Sequence, residues 1–319
     1  MESRPKKRPR ALPCKPLICL ARLFGLTPVS FVVSGQREVM KLDLKWTSYS
    51  CGIVAARILF FLSRFQALLW YKENTIMTLV EMWNFKIQVL SSIMIQVAFI
   101  FYTTTLSDAM NVLLHGVSFS TRPIKRICLL GMGISVVTVY IFVQRFSNES
   151  FHAVNRRRVT AWVSAIIEIN HSYSLLSDVV WVLLFAVCLC SIINRVSLLN
   201  SAIRTSNRFI YPYRRNFGLK FDLLFHQTQH LFRAFSFQIL VSTFMVLLES
   251  VYRLYTMIRT ARSSDKYSPH IAIYNGWILI FNAWKIVTIL AASEYTRQVV
   301  SSFTITLEPS SNKATKKFG

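Results

Sequence analysis

One apolar run, Ser236 to Thr256, limits what this chain can fold into: it is long enough to cross a bilayer, yet it carries Glu249 and Arg253. The two ionisable residues stand four apart on one helical face, and Gln238 and Ser242 continue the same stripe. A charge at membrane depth costs roughly 2.5–3.5 kcal/mol on insertion scales, so such a seam turns toward a bundle interior, where it pairs or lines a water-filled path. The run predicts a helix that needs neighbours.

The rest of the chain supplies them. Hydrophobic residues make up 53% of the sequence, while 37 Lys and Arg against 14 Asp and Glu give a net charge of +23. A basic soluble protein of this charge would point to nucleic acid, but that needs a polar, water-facing surface to carry the cations. Here the mean hydropathy is +0.41, so the charge belongs in the loops and terminus of an integral membrane protein and no nucleic-acid partner is expected. The expected fold is all-α, a multi-pass transmembrane bundle.

Apolar runs of about 20 residues predict six spans, at Tyr49–Trp70, Phe85–Tyr102, Ile127–Val143, Tyr173–Ile193, Phe237–Ile258 and Ile271–Ala292. The second has the loosest start, because its apolar signal runs back through Trp83 to Ile76 with Glu81 and Lys86 near the interface. Residues 1–45 form a basic N-terminus, 46–293 the membrane domain and 294–319 a polar tail. Of the Lys and Arg residues, 24 fall in the N-terminus, two alternate loops and the tail, against 8 in the other loops, which predicts both termini in the cytosol. The run Arg156-Arg157-Arg158 opposes this assignment; the sequons at Asn148 and Asn170, in the same loop, favour it as glycosylation candidates on the outer face. Between Arg195 and Phe235 the chain is too long for a turn, and apolar residues at helical spacing from Phe221 predict that the fifth helix extends into the cytosol.

Few residues suggest bond-making chemistry. His226 and His230 have the spacing of a two-histidine metal site, but Gln227 stands where a zinc protease needs Glu and no third ligand is near, so no metal or other cofactor is expected. The six cysteines offer no disulfide framework. With no phosphate loop, nucleophile elbow or paired carboxylates, an enzyme is not expected. What remains are inward polar stripes: Arg57 and Arg64 on the first span, Ser174, Ser177, Asp178 and Trp181 on the fourth, Asn275, Asn282 and Lys285 on the sixth. Aromatic residues gather at the predicted outer ends, among them Trp83, Tyr140, Tyr173, Trp181, Tyr252 and Trp277. They form either an interfacial belt or, with Asp178, Glu249 and Asn275 as polar anchors, a ligand cavity open to the outer face.

Several stretches resemble the insect gustatory receptor family, the seven-span chemoreceptors of arthropods. Pro16-Leu17 through Leu20-Ala21-Arg22 and then Phe24-Gly25-Leu26-Thr27-Pro28 resemble that family's opening segment. His226 to Tyr255 is similar to its cytosolic helix and fifth span, and Trp284 to Gln298 to the end of its sixth. The resemblance implies a ligand-gated cation channel subunit of the plasma membrane that binds small tastants in its outer half and assembles as a homo- or hetero-tetramer amid membrane lipid. One departure is large. The family's seventh span carries Thr-Tyr, a dipeptide absent here, and after Val300 the chain turns polar, so the resemblance implies an end truncated before the pore-lining span, with no pore residue to carry over and no conduction by this form alone. A regulatory subunit is the nearest rival. A G-protein-coupled receptor would need an extracellular N-terminus, and a secondary transporter would need symmetry between halves.

Overall fold

The computed structural model describes residues 14–35, 37–69, 76–114, 161–206, 212–262 and 269–307, together with Leu130, Gly131, Gly133, Ile134, Val136, Val137 and Tyr140. Among these residues helix dominates. A short helix α1 (Lys15–Leu23) leads into strands β1 (Val29–Ser34) and β2 (Arg37–Leu42); then follow α2 (Leu44–Leu69), α3 (Ile76–Phe101), α4 (Thr103–Leu114), α5 (Ala161–Ser206), α6 (Pro212–Arg262) and α7 (Pro269–Leu307).

The boundaries have local causes. Proline opens α6 and α7, where its missing N–H costs no helical bond. Helix α1 also has proline in its first turn and closes on Gly25 at φ 66°, with Leu26 N–H reaching back to the Ala21 carbonyl at 2.9 Å. Asp43 caps α2 by accepting the Lys45 N–H on Oδ1 at 2.9 Å. Helices α3 and α4 meet at a bend of 69° after Phe101, where the Thr103 hydroxyl donates to the Phe99 carbonyl at 2.6 Å.

The all-α expectation needs correction at the N-terminus. Within residues 1–45, expected only as a basic segment, β1 and β2 form an antiparallel hairpin with Val29 opposite Leu42 and Ser34 opposite Arg37. Gly35 at φ 62° supplies the left-handed turn geometry. Asn111 of α4 ties the hairpin to the bundle: it accepts the Met40 N–H at 2.7 Å and donates to the Met40 carbonyl at 2.8 Å, pairing with the strand edge as another strand would. Asn111→Leu removes both bonds and leaves Met40, 2% exposed, without partners. The expected result is amide exchange across residues 37–42 at least tenfold faster, from a loss of about 2 kcal/mol, with α2 unaffected.

Helix α5 is the axis of the core. The most apolar 18 residues within Ile169–Ala202 have mean hydropathy 2.5 and are 83% buried within the protein, against 17% for the corresponding stretch of α2. Trp181 and Phe185 lie fully inside, and Phe185 meets Phe235 of α6 with centroids 5.1 Å apart, while Phe235 meets Phe99 of α3 edge-on at 5.5 Å. Gly131 lies against Leu183 so closely that a Cβ there would sit 2.7 Å from the leucine Cδ2. The same apolar richness that marks a membrane span is here mostly turned to protein.

By length and composition α2, α5, α6 and α7 can each cross a membrane, and the bent α3–α4 pair adds a fifth crossing if taken as one. The predicted span Ile127–Val143 falls largely outside the described residues. The tail expected to be polar from residue 294 continues α7 as helix to Leu307.

Candidate functional site: two buried polar networks

The polar stripes converge on two networks inside the bundle. In the first, Arg57 of α2 is the hub. It is 7% exposed and donates four hydrogen bonds: Nε to Asn170 Oδ1 at 2.9 Å, Nη1 to Ser92 Oγ at 3.1 Å and Gln96 Oε1 at 2.7 Å, and Nη2 to Ser174 Oγ at 2.6 Å. Its guanidinium also lies over the Tyr173 ring, 4.9 Å from the centroid. Gln96 and Tyr173 in turn donate to the Phe24 carbonyl at 2.9 and 2.6 Å. One planar fork with five N–H donors thus holds α2, α3 and α5 together, and through its partners the end of α1.

The second network joins α5, α6 and α7. Arg253 Nη2 meets Glu249 Oε1 at 3.3 Å, one turn apart on α6, and Nη1 donates to Asn275 Oδ1 of α7 at 2.9 Å. Asn282 Nδ2 donates to the other Glu249 oxygen at 3.3 Å. Arg253 lies between the rings of Tyr274 and Tyr252, at 5.0 and 5.4 Å, and the Tyr274 hydroxyl hydrogen-bonds His171 Nε2 of α5 at 3.0 Å. Nearby, Lys285 Nζ of α7 donates to Asp178 Oδ2 of α5 at 2.6 Å, and Trp181 Nε1 donates to the other oxygen at 3.3 Å. Each described cation of this layer therefore has a carboxylate partner, whereas Arg57 is held by neutral groups.

Among the described residues, those expected in the pocket are spread over the two networks and the surface. Tyr173 belongs to the Arg57 network; Trp181, Glu249 and Asn275 are buried in the second, and Asp178 is half-buried there; Tyr252 and Trp277 are half-buried beside it; and Tyr140 is 62% exposed. The side chains of Trp83, Arg64 and Lys86, and all of Asn148, lie outside the described residues. Asn170 is 8% exposed with its Oδ1 engaged by Arg57, so a glycan, which must reach water from the same amide, does not fit in this packing. His226 and His230 are both exposed, and no cluster of three His, Cys, Asp or Glu side chains suited to a metal occurs among the described residues. Ser92, Gln96 and His171 help carry the networks without having been singled out from sequence, although Gln88, Ser92 and Gln96 repeat at four-residue spacing and so already mark a polar face of α3.

A described cleft lies elsewhere. About 490 Å³ in volume, it opens between the C-terminal parts of α5 and α7 and the start of α6, and is lined by residues that include Ile192, Phe221, Leu224, Phe232 and Thr296, with Arg297 at its edge. This is the opposite end of the helices from the predicted outer pocket.

By sequence, no known family matches the chain, and no curated protein does either.

Proposed function

We propose that the chain is a multi-pass subunit of a plasma-membrane chemoreceptor of the gustatory receptor type, a ligand-gated cation channel assembled with further subunits and responsive to small tastants. The observation that carries this reading is the sealed layer of opposite charges between α5, α6 and α7. Asp178 and Lys285, neutralised between α5 and α7, and the Glu249–Arg253 pair, hydrogen-bonded from α6 to Asn275 and Asn282 of α7, hold those helices in one arrangement, and a rearrangement that exposes these charges to water or to a pore changes their energy strongly. Such a layer suits a gate better than a passive anchor.

Six crossings fit this reading, with residues 127–143 as the third. Helices of 46, 51 and 39 residues are about 69, 77 and 59 Å long. A hydrocarbon core of about 30 Å leaves much of each outside the bilayer. The contacts of Gly131 with Leu183 and of Arg57 with Ser174 support a crossing in the N-terminal half of α5. In this reading the fourth crossing lies at about residues 162–183 rather than Tyr173–Ile193, and the remainder of α5, the start of α6 and the end of α7 are a helical extension on the cytosolic side.

Two measurements test the reading. An epitope after Gly319 should be stained only in permeabilised cells; staining of intact cells would refute six crossings. Co-expressed in oocytes with a conducting gustatory receptor, the chain should co-purify with it and change its tastant-evoked current at least twofold. Absence of both effects across a panel of such receptors would overturn the receptor assignment.

A further inference from the structure

The N-terminal helix α1 is buried on one side only. Ile18 and Ala21 are fully enclosed, but the opposite stripe, Pro16, Leu20 and Leu23, is exposed, Leu20 by 41% and Leu23 by 55%. In water, a nine-residue helix that is apolar on both faces would be poorly placed. Its exposed side continues into the least buried long helix of the protein: the Tyr49 hydroxyl of α2 donates to the Leu23 carbonyl at 3.0 Å, and Leu44, at the start of α2, is 81% exposed.

Cations border this apolar surface. Arg22 lies over the Trp46 ring at 4.1 Å from the centroid, and Arg37, Lys41 and Lys45 are exposed. The nearby acids are engaged: Asp43 caps α2, and Glu38 pairs with Lys15 at 2.9 Å. The pattern is an apolar strip beside an aromatic residue and a basic rim, next to the point where a lipid-facing helix begins. These are the features of an element lying in the plane of a bilayer interface, with short apolar side chains in the acyl region and long basic ones reaching phosphate.

We propose that α1 and the base of the β1–β2 hairpin form an interfacial element that binds anionic phospholipid, with Leu20 and Leu23 entering the acyl region and Lys41 and Lys45 contacting the phosphates. The inference rests on the membrane-spanning reading of α2. A second copy of the chain is the alternative occupant; the basic rim and the continuity with α2 favour lipid.

The full chain, with Cys19 and Cys51 changed to serine, is reconstituted in nanodiscs of phosphatidylcholine with or without phosphatidylserine. A nitroxide is placed at Leu23→Cys or, as the reference, at Leu59→Cys on the exposed face of α2, where Leu59 is 68% exposed. Expected is a label at position 23 reached by oxygen in preference to a water-soluble nickel complex, at a shallower depth than position 59. A second readout is native mass spectrometry, in which Lys41→Gln with Lys45→Gln should lower the preference for phosphatidylserine over phosphatidylcholine by about tenfold or more, from roughly 1 kcal/mol per basic residue. If position 59 is in lipid but position 23 is freely reached by the nickel complex, the interfacial role is overturned while the span stands. If neither reagent reaches position 23, a protein partner covers α1 and the lipid proposal fails. Water access at both positions would remove the span itself.

Discussion

Arg57→Ala is expected to abolish the folded, monodisperse protein at physiological temperature, or to lower its melting temperature in detergent by at least 10 °C. Arg57 is 7% exposed and is the donor for Asn170, Ser92, Gln96 and Ser174. Removing it strands acceptors on two further helices and opens a cavity where the guanidinium lay. Unsatisfied buried polar groups cost about 1–3 kcal/mol each, and the side-chain cavity adds to that. Partial rehydration offsets some of the loss, leaving a net cost of about 3–5 kcal/mol, a large share of the roughly 5–15 kcal/mol that holds a domain together. Arg57→Lys supplies the charge but not the planar fork, so it should fall between wild type and alanine. Melting followed by fluorescence-detected size exclusion reads both variants. An alanine variant that melts within 2 °C of wild type would show that the hub is not a determinant of stability.

The expected loss is unusual because the charge has no counter-ion among its hydrogen-bonding partners. A buried guanidinium without a carboxylate survives only if neutral dipoles replace its water, and here two hydroxyls and two amides do so. The same arrangement links α3 and α5 to the N-terminal segment, since Gln96 and Tyr173 share the Phe24 carbonyl. Displacing α2 relative to α5 would therefore disturb α1 as well.

How much of this was legible in the sequence differs between the networks. The stripes of Asp178, Lys285, Glu249, Arg253, Asn275 and Asn282 could be read directly, because an ionisable residue on an apolar helix has few places to go other than inward. Arg57 could be placed on a stripe and Tyr173 among the outer-end aromatics, but their meeting could not be read, since residues 57 and 173 are brought together by the packing of α2, α3 and α5. The surroundings of α5 could not be read for a physical reason. Apolar residues from Tyr173 to Ile193 satisfy lipid and a protein core equally well, and only contacts such as Gly131 with Leu183 show which surrounds them. The hairpin had a local signal, in the apolar Val29, Phe31 and Val33 followed by Gly35, but the basic character of the segment outweighed it. The aromatic residues were ambiguous from the outset. The structure disperses them, with Tyr140 exposed, Trp181 fully buried and Tyr173 in another network.

The second large effect is expected at Asp178 and Lys285. Their contact, 2.6 Å between Nζ and Oδ2, spans α5 and α7 with side-chain exposures of 15% and 4%. The Glu249–Arg253 pair, by contrast, lies within α6, so separating α6 from α7 leaves its ion pair intact and breaks only the bonds to Asn275 and Asn282. Lys285→Met leaves Asp178 beside the Trp181 N–H, and Asp178→Leu leaves an ammonium against the Phe281 ring, 5.1 Å from its centroid. Breaking a buried pair by removing one member costs about 3–5 kcal/mol, whereas replacing both members with apolar groups of similar volume is often neutral or stabilising. Each single variant should therefore melt well below wild type, and the double variant should melt above either. The expected coupling is at least about 2 kcal/mol, on a scale where independent sites add to within about 0.5 kcal/mol. Strict additivity would mean that the two charges are separately hydrated and that α5 and α7 are held by apolar contacts alone. Strong coupling would identify this contact as the polar lock between the core helix and the last described helix, and the double variant, stable but without the lock, as the form in which altered gating of a co-expressed channel should be sought.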